Sequence, residues 1–138
     1  VASEKARFVS SYIRIGLFPG AGGTWLYPRV MPLAKALELL FTGDFLEAKE
    51  GERIGFLNKV VPAAELEKET MALAQKIAAG PPIALRLAKL QAYQGLGMGL
   101  ETALEWAAAA ETITIGSEDH QEGIVAFREK RPARYQGR

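Results

Sequence analysis

Cysteine is absent from the 138 residues and histidine occurs once, as His120. Disulfides, thiolate metal sites and cysteine nucleophiles are thereby excluded within the chain, and the absence fits a reducing compartment. One imidazole cannot build a histidine metal cluster, so no metal site is expected, and a Ser-His-Asp triad would rest on His120 alone. Charge of one sign is lacking as well. Lysine and arginine number 17 against 16 acids, a formal charge of +1, so no broad field is available to hold a nucleic acid. Apolar runs are far shorter than the roughly 20 residues that cross a bilayer. Val1 to Arg7 carry lysine, arginine and glutamate with no apolar core and cleavage site behind them, so no signal peptide is expected. These exclusions point to a soluble, cytoplasmic protein with no nucleic-acid or membrane partner. The chain opens on Val1 rather than methionine, as a piece of a longer protein would.

What is present is a chain that is 49% apolar, enough for one compact domain or the packed half of a larger one. Phe8 to Ile15 are rich in aromatic and β-branched residues that alternate, which predicts a strand with Tyr12 on its more polar face. The cluster Gly20, Gly22, Gly23 then marks a turn into a helix, which Pro28 and Pro32 keep short. Helices are predicted over 33–41, closed by Gly43, and 46–53, closed by Gly55, with a short strand over 58–61. From about Pro62 the composition turns helical. Leu66, Leu73 and Ile77 form one stripe, and Ile83, Leu87 and Leu90 another beyond the Gly80-Pro81-Pro82 break. A longer helix over 100–115 carries Leu100, Leu104, Ala107, Ala108 and Ile115 on one face. The last begins at the N-cap Ser117, with Glu118 and Asp119 in its first turn and Arg128, Lys130 and Arg131 in its last, and stops at Pro132.

Three features invite chemistry. The run Pro19-Gly20-Ala21-Gly22-Gly23-Thr24 lacks the lysine of a phosphate loop, and Trp25 stands where a dinucleotide fingerprint needs its third glycine. It remains either a close approach of backbones or a substrate-lining loop. His120, flanked by Asp119, Gln121 and Glu122, reads as a solvated residue. Glu111 falls on an apolar stripe, where an unpaired carboxylate would cost several kcal/mol; it either makes a polar contact between subunits or faces a ligand.

Taken in order, Ile15-Gly16-Leu17-Phe18-Pro19-Gly20-Ala21-Gly22-Gly23-Thr24, Pro28-Arg29, Thr42-Gly43, Arg53-Ile54-Gly55-Phe56, Asn58 to Pro62, Pro81 to Lys89, and Glu122-Gly123 with Ala126-Phe127 and Glu129-Lys130-Arg131 resemble the crotonase (enoyl-CoA hydratase/isomerase) superfamily, and specifically its C-terminal half. The resemblance implies an α/β fold: residues 1–62 as the end of a ββα spiral core, and 63–138 as a helical domain that builds homo-trimers and hexamers. It also implies an acyl-coenzyme A substrate, with coenzyme A as part of that substrate and no permanently bound cofactor. Two backbone N–H groups that grip the thioester oxygen in this family, each worth roughly 3 kcal/mol, would belong to segments ahead of Val1. The first catalytic glutamate would lie there too, so the isolated chain is expected to be inactive.

Carried over position by position, the second family glutamate falls on Tyr12, and the aspartate that some isomerases place in the glycine loop falls on Gly20. A phenol ordinarily titrates near pH 10, and using one as a base at pH 7 costs on the order of 4 kcal/mol. Tyr12 is therefore expected to donate a hydrogen bond or shape the acyl pocket, beside Pro19, Gly20 and Trp25. Lys130 matches the lysine that reaches the coenzyme of a neighbouring subunit. Glu111 stands where some relatives have an aromatic near the coenzyme. Hydratase or isomerase chemistry, hydrolysis or ring-opening of a CoA thioester, and a non-catalytic assembly role all remain compatible with these substitutions.

Overall fold

The computed structural model describes residues 1–138, which divide into two compact units, Val1–Ala72 and Leu73–Arg138. In the first unit the backbone pairs twice. Strand β1 (Ala2–Ser3) lies parallel to β4 (Val60–Val61), and β2 (Arg7–Phe8) runs antiparallel to β3 (Leu46–Glu47). Between β2 and β3 come a one-turn 3-10 helix (Ser11–Ile15), α1 (Gly23–Val30) and α2 (Leu33–Thr42); α3 (Ala48–Arg53) follows β3 directly. The expected strand over Phe8–Ile15 is thus wrong beyond Phe8. Five residues are too few for their period to separate a short helix from a strand, and the left-handed Gly16 closes that helix with its N–H on the Ile13 carbonyl. Helix α1 is short, as expected from Pro28 and Pro32, and runs to Val30 with Pro28 inside it.

The core of this unit lies on one face of α2. Ala36 is completely buried, and Leu39 packs with Met31 and Leu46. Phe8, Tyr27, Ile54 and Phe56 close over them, the Phe8 and Phe56 rings meeting edge-on at 5.2 Å. Burial raises the Tyr27 phenol above its ordinary value.

Helix α4 (Leu66–Ala78) contains the division between the units. The second unit holds α5 (Pro82–Gln94), α6 (Leu100–Ile115) and α7 (Glu118–Glu129), with Pro82 in the first turn of α5 where a missing N–H costs nothing. Gln91 ties α5 to α6 by donating to the Ala103 carbonyl at 2.7 Å. Ser117 caps α7 by accepting from the His120 N–H at 3.1 Å, as its sequence position predicts. Beyond α7 the tail is held by acids of that helix. Glu122 accepts both ends of the Arg131 guanidinium at 2.7 and 2.9 Å and the Arg134 N–H at 2.8 Å. The buried Asp119 accepts the N–H groups of Gln136 and Gly137 at 2.6 and 2.8 Å.

The Arg131 pair, followed by the Arg134 N–H, holds the Glu122 carboxyl down to about 2, against an ordinary value of 4.5. A depressed carboxyl contributes stability that is complete above its unfolded value and is lost as pH falls toward the folded one. Glu122→Gln is therefore expected to destabilise the fold at pH 7. The gap to wild type should narrow steadily between about pH 4.5 and pH 2 in denaturant titrations. A gap independent of pH would show that the pair contributes nothing.

Candidate functional site

Tyr12 stands on the 3-10 turn rather than on a strand, and is 39% exposed. Its carbonyl accepts the Leu17 N–H at 3.0 Å, so the chain reverses across Gly16 and enters the Phe18–Gly22 loop. Arg14 fastens this turn to the end of α2. Its guanidinium reaches Asp44 at 2.8 Å and, more weakly, the Thr42 carbonyl at 3.4 Å. Between those two partners sits Gly43, at φ 67°, where an added Cβ would come within 3.0 Å of the Arg14 Cγ. The position thus requires glycine both for its left-handed backbone and for room. Thr42 completes the corner, its hydroxyl donating to the Glu38 carbonyl and accepting the Asp44 N–H.

In the glycine loop, Pro19 is buried and Gly20 donates to the Phe18 carbonyl at 2.7 Å. Gly22, at φ 83°, caps α1, its carbonyl accepting the N–H groups of Trp25 and Leu26. A Cβ on Gly23 would be in ordinary contact with Leu40 at 3.5 Å, so α1 and α2 approach closely there. The loop therefore serves backbone approach, and through Pro19 it also borders an apolar pocket of about 400 Å³. Ile13, Leu17, Phe18, Leu40 and Phe41 form most of its wall, and Thr24 and Pro28 contribute from α1.

Of the residues singled out from sequence, Pro19 lines this pocket, Gly20 is next to it, and Tyr12 is adjacent through Ile13; Trp25 is not in its lining. Trp25 is half exposed, and the Arg29 guanidinium lies over its ring at 3.9 Å while donating to its carbonyl at 2.9 Å. Ile13, Phe41 and the Arg14–Asp44 clasp escaped the sequence reading. A signal for the clasp existed in Thr42-Gly43-Asp44, where an acid follows a helix-stopping glycine.

In the second unit, Lys130 is exposed and ends α7 at φ 53°, the one non-glycine residue with positive φ. Glu111 is exposed on α6 and His120 is exposed in the first turn of α7. The His120 side chain borders an open cleft of about 440 Å³ with Thr114, Ser117, Arg128 and Tyr135. No helix is long and apolar enough to cross a membrane.

All 138 residues match the family model described as enoyl-CoA hydratase/isomerase. The chain is 36% identical over 135 residues to a crotonyl-CoA hydratase of Syntrophomonas wolfei, covering 98% of this chain and 52% of that protein. It is 41% identical over 131 residues to the human mitochondrial enoyl-CoA hydratase domain-containing protein 3, covering 95% and 43%. Among solved structures, an enoyl-CoA hydratase from Bacillus anthracis superposes with a TM-score of 0.95 at 37% identity, over 99% of this chain and 53% of that one. The chain thus spans about half the length of the curated relatives it matches.

The two components of the clasp should differ in weight. Gly43→Ala is expected to destabilise the protein by about 1 to 2 kcal/mol, from its left-handed backbone alone. Arg14→Ala should cost less than about 1 kcal/mol, because both partners of its ion pair are more than half exposed or close to it. Urea unfolding of the two variants checks the order, and a larger loss for Arg14→Ala would reverse the assignment.

Proposed function

The chain belongs to the enoyl-CoA hydratase/isomerase family, and on that premise we propose that the whole protein acts on an acyl-coenzyme A thioester through an oxyanion-stabilised enolate. The observation that carries this is the family match over every residue of the chain, with neither unit left outside it. The two units offer different chemistry, as such a substrate requires. The first has an apolar pocket beside the glycine loop, suited to an acyl group. The second presents Lys130, a cation suited to a coenzyme phosphate.

On this reading the oxyanion donors and a catalytic glutamate come from outside the chain described here, and coenzyme A arrives with the substrate rather than as a resident cofactor. Pro19 and Gly20 border the acyl group. Tyr12 donates a hydrogen bond or shapes the pocket mouth, and Trp25 with Arg29 forms a wall outside the pocket. Hydration or isomerisation is favoured by the names of the relatives; hydrolysis of a CoA thioester is the alternative that the Tyr12 substitution keeps open. Apolar side chains left bare on the single chain, such as Leu100 at 76% and Phe127 at 87% exposure, support assembly into a homo-trimer or hexamer, in the cytoplasm.

Hydration of crotonyl-CoA by the whole protein tests the activity, and a complete lack of turnover on any enoyl-CoA would overturn it. Tyr12→Phe is expected to lower kcat by less than about tenfold, equivalent to 1.4 kcal/mol, since a phenol here assists rather than abstracts a proton. Loss of all turnover in a folded variant would make Tyr12 catalytic instead. Lys130→Ala should weaken binding of a CoA thioester by about tenfold or more, as expected for loss of a charged hydrogen bond, and leave a pantetheine thioester unaffected. Equal losses for both, or a monomer in sedimentation, would refute a phosphate contact made from a neighbouring subunit.

A further inference from the structure

The tail after α7 runs back along that helix toward its first turn. Arg131 and Arg134 meet Glu122. Tyr135 lies against Gly123, where an added Cβ would stand 3.3 Å from the phenol oxygen. Gln136 and Gly137 donate to Asp119, and Arg138 pairs with Glu118 at 2.8 Å. The acids and the glycine thus occupy positions 118, 119, 122 and 123, one face of the helix. Helix and tail form a hairpin, and Lys130 is its apex.

The apex is closed by the paired bonds that commonly terminate a helix: Lys130 N–H to the Phe127 carbonyl at 3.3 Å, and Arg131 N–H to the Ala126 carbonyl at 3.1 Å. The residue in the left-handed position of that motif is ordinarily glycine. Here it is a lysine at φ 53°. A side chain held in an unfavourable backbone region is kept there by its surroundings, and such positions concentrate at functional sites. The surroundings are specific. The Arg131 fork is taken up by Glu122 on one side and by Glu129 at 2.6 Å on the other. Both carboxylates next to the apex are thereby held by Arg131, and Lys130 takes part in none of these ion pairs.

We infer that the tail is a strap whose Glu122–Arg131 pair fixes the left-handed turn at Lys130 and leaves its ammonium outside any ion pair and open to an anion, so that Glu122 and Arg131 are positioning residues for the coenzyme phosphate. This rests on the role of Lys130 proposed above. A misplaced ammonium loses part of the contact while everything that binds the acyl and pantetheine portions stays in place.

Steady-state kinetics of the whole protein at pH 7, with a CoA thioester and with the same acyl group on pantetheine, separate the possibilities. Lys130→Ala should raise KM about tenfold for the CoA thioester alone. Glu122→Gln should raise that KM about fivefold, while kcat and the pantetheine KM stay within about twofold. Glu122→Gln added to Lys130→Ala should have no further effect, because the positioned group is already gone. Should Glu122→Gln fail to fold by circular dichroism, Arg131→Lys, which keeps the charge and loses the fork, is expected to give the same pattern. Equal losses on both substrates, or additive losses in the double variant, would overturn the strap and leave the phosphate contact standing. A Lys130→Ala enzyme that treats the two substrates alike would overturn the contact itself and the strap's role with it.

Discussion

The buried face of α2 is the constraint on which the first unit depends. Ala36, Leu39 and Leu40 are almost fully removed from water, and what packs on that helix includes α1, the 3-10 turn that bears Tyr12, and β3 through Leu46. Burying a leucine side chain is worth about 1.5 to 3 kcal/mol, whereas an exposed ion pair is worth up to about 1. Apolar contact on α2 therefore decides the architecture, and the Arg14–Asp44 clasp only trims the angle at which the turn leaves it. The zero exposure of Ala36 adds a steric condition, since any larger side chain there would push its neighbours away.

The second unit is organised differently. Its buried residues are Ala126 and Asp119, so no large apolar cluster of its own holds it. Its order comes from capping, from the Gln91 bond between helices, and from carboxylates that satisfy tail N–H groups. A buried carboxylate is costly unless its oxygens are taken up, and Asp119 is compensated by two short bonds from the backbone. The tail is accordingly part of the helix's electrostatic balance rather than an appendage. The apolar side chains bared on α6 and α7 are the complement of this arrangement: a unit stabilised from its polar side leaves Leu100 and Phe127 exposed.

Legibility in the sequence followed the range of the forces involved. Helices over 33–42, 82–94, 100–115 and 118–129 could be read because their stop and start signals, Gly43, Pro82 and Ser117, act within a turn of the backbone. The segment after Phe8 could not, because a run of five residues is too short for its period to separate strand from 3-10 helix, and the deciding left-handed Gly16 looks like any turn glycine. Gly43 was visible as a helix end, but its second reason for being glycine, the Arg14 stem, lies 29 residues earlier in the chain. The strap was equally hidden. Asp119 and Glu122 looked like ordinary first-turn and surface acids, since their partners are backbone N–H groups and an arginine that follow only after the helix has reversed. Glu111, expected on an apolar stripe, is exposed in the single chain, where water solvates the carboxylate and no burial cost arises.

The chemistry divides along the same line as the packing. The wall of the apolar pocket holds one polar side chain, Thr24, and no titratable one. Pro28, four residues on from Thr24 and also in the wall, cannot supply the N–H that a regular helix would direct at the Thr24 carbonyl. A wall so built offers shape and apolar contact but no group that could move a proton. Tyr12, next to the lining residue Ile13 on a turn packed against α2, carries a phenol, which is better suited to giving a hydrogen bond at neutral pH than to taking a proton. On the function proposed above, proton abstraction would then fall to carboxylates outside these residues. The resemblance sets Tyr12 where relatives carry a glutamate, and such an exchange would replace a group able to take a proton at neutral pH by one that gives a hydrogen bond, on a turn whose packing against α2 does not depend on it.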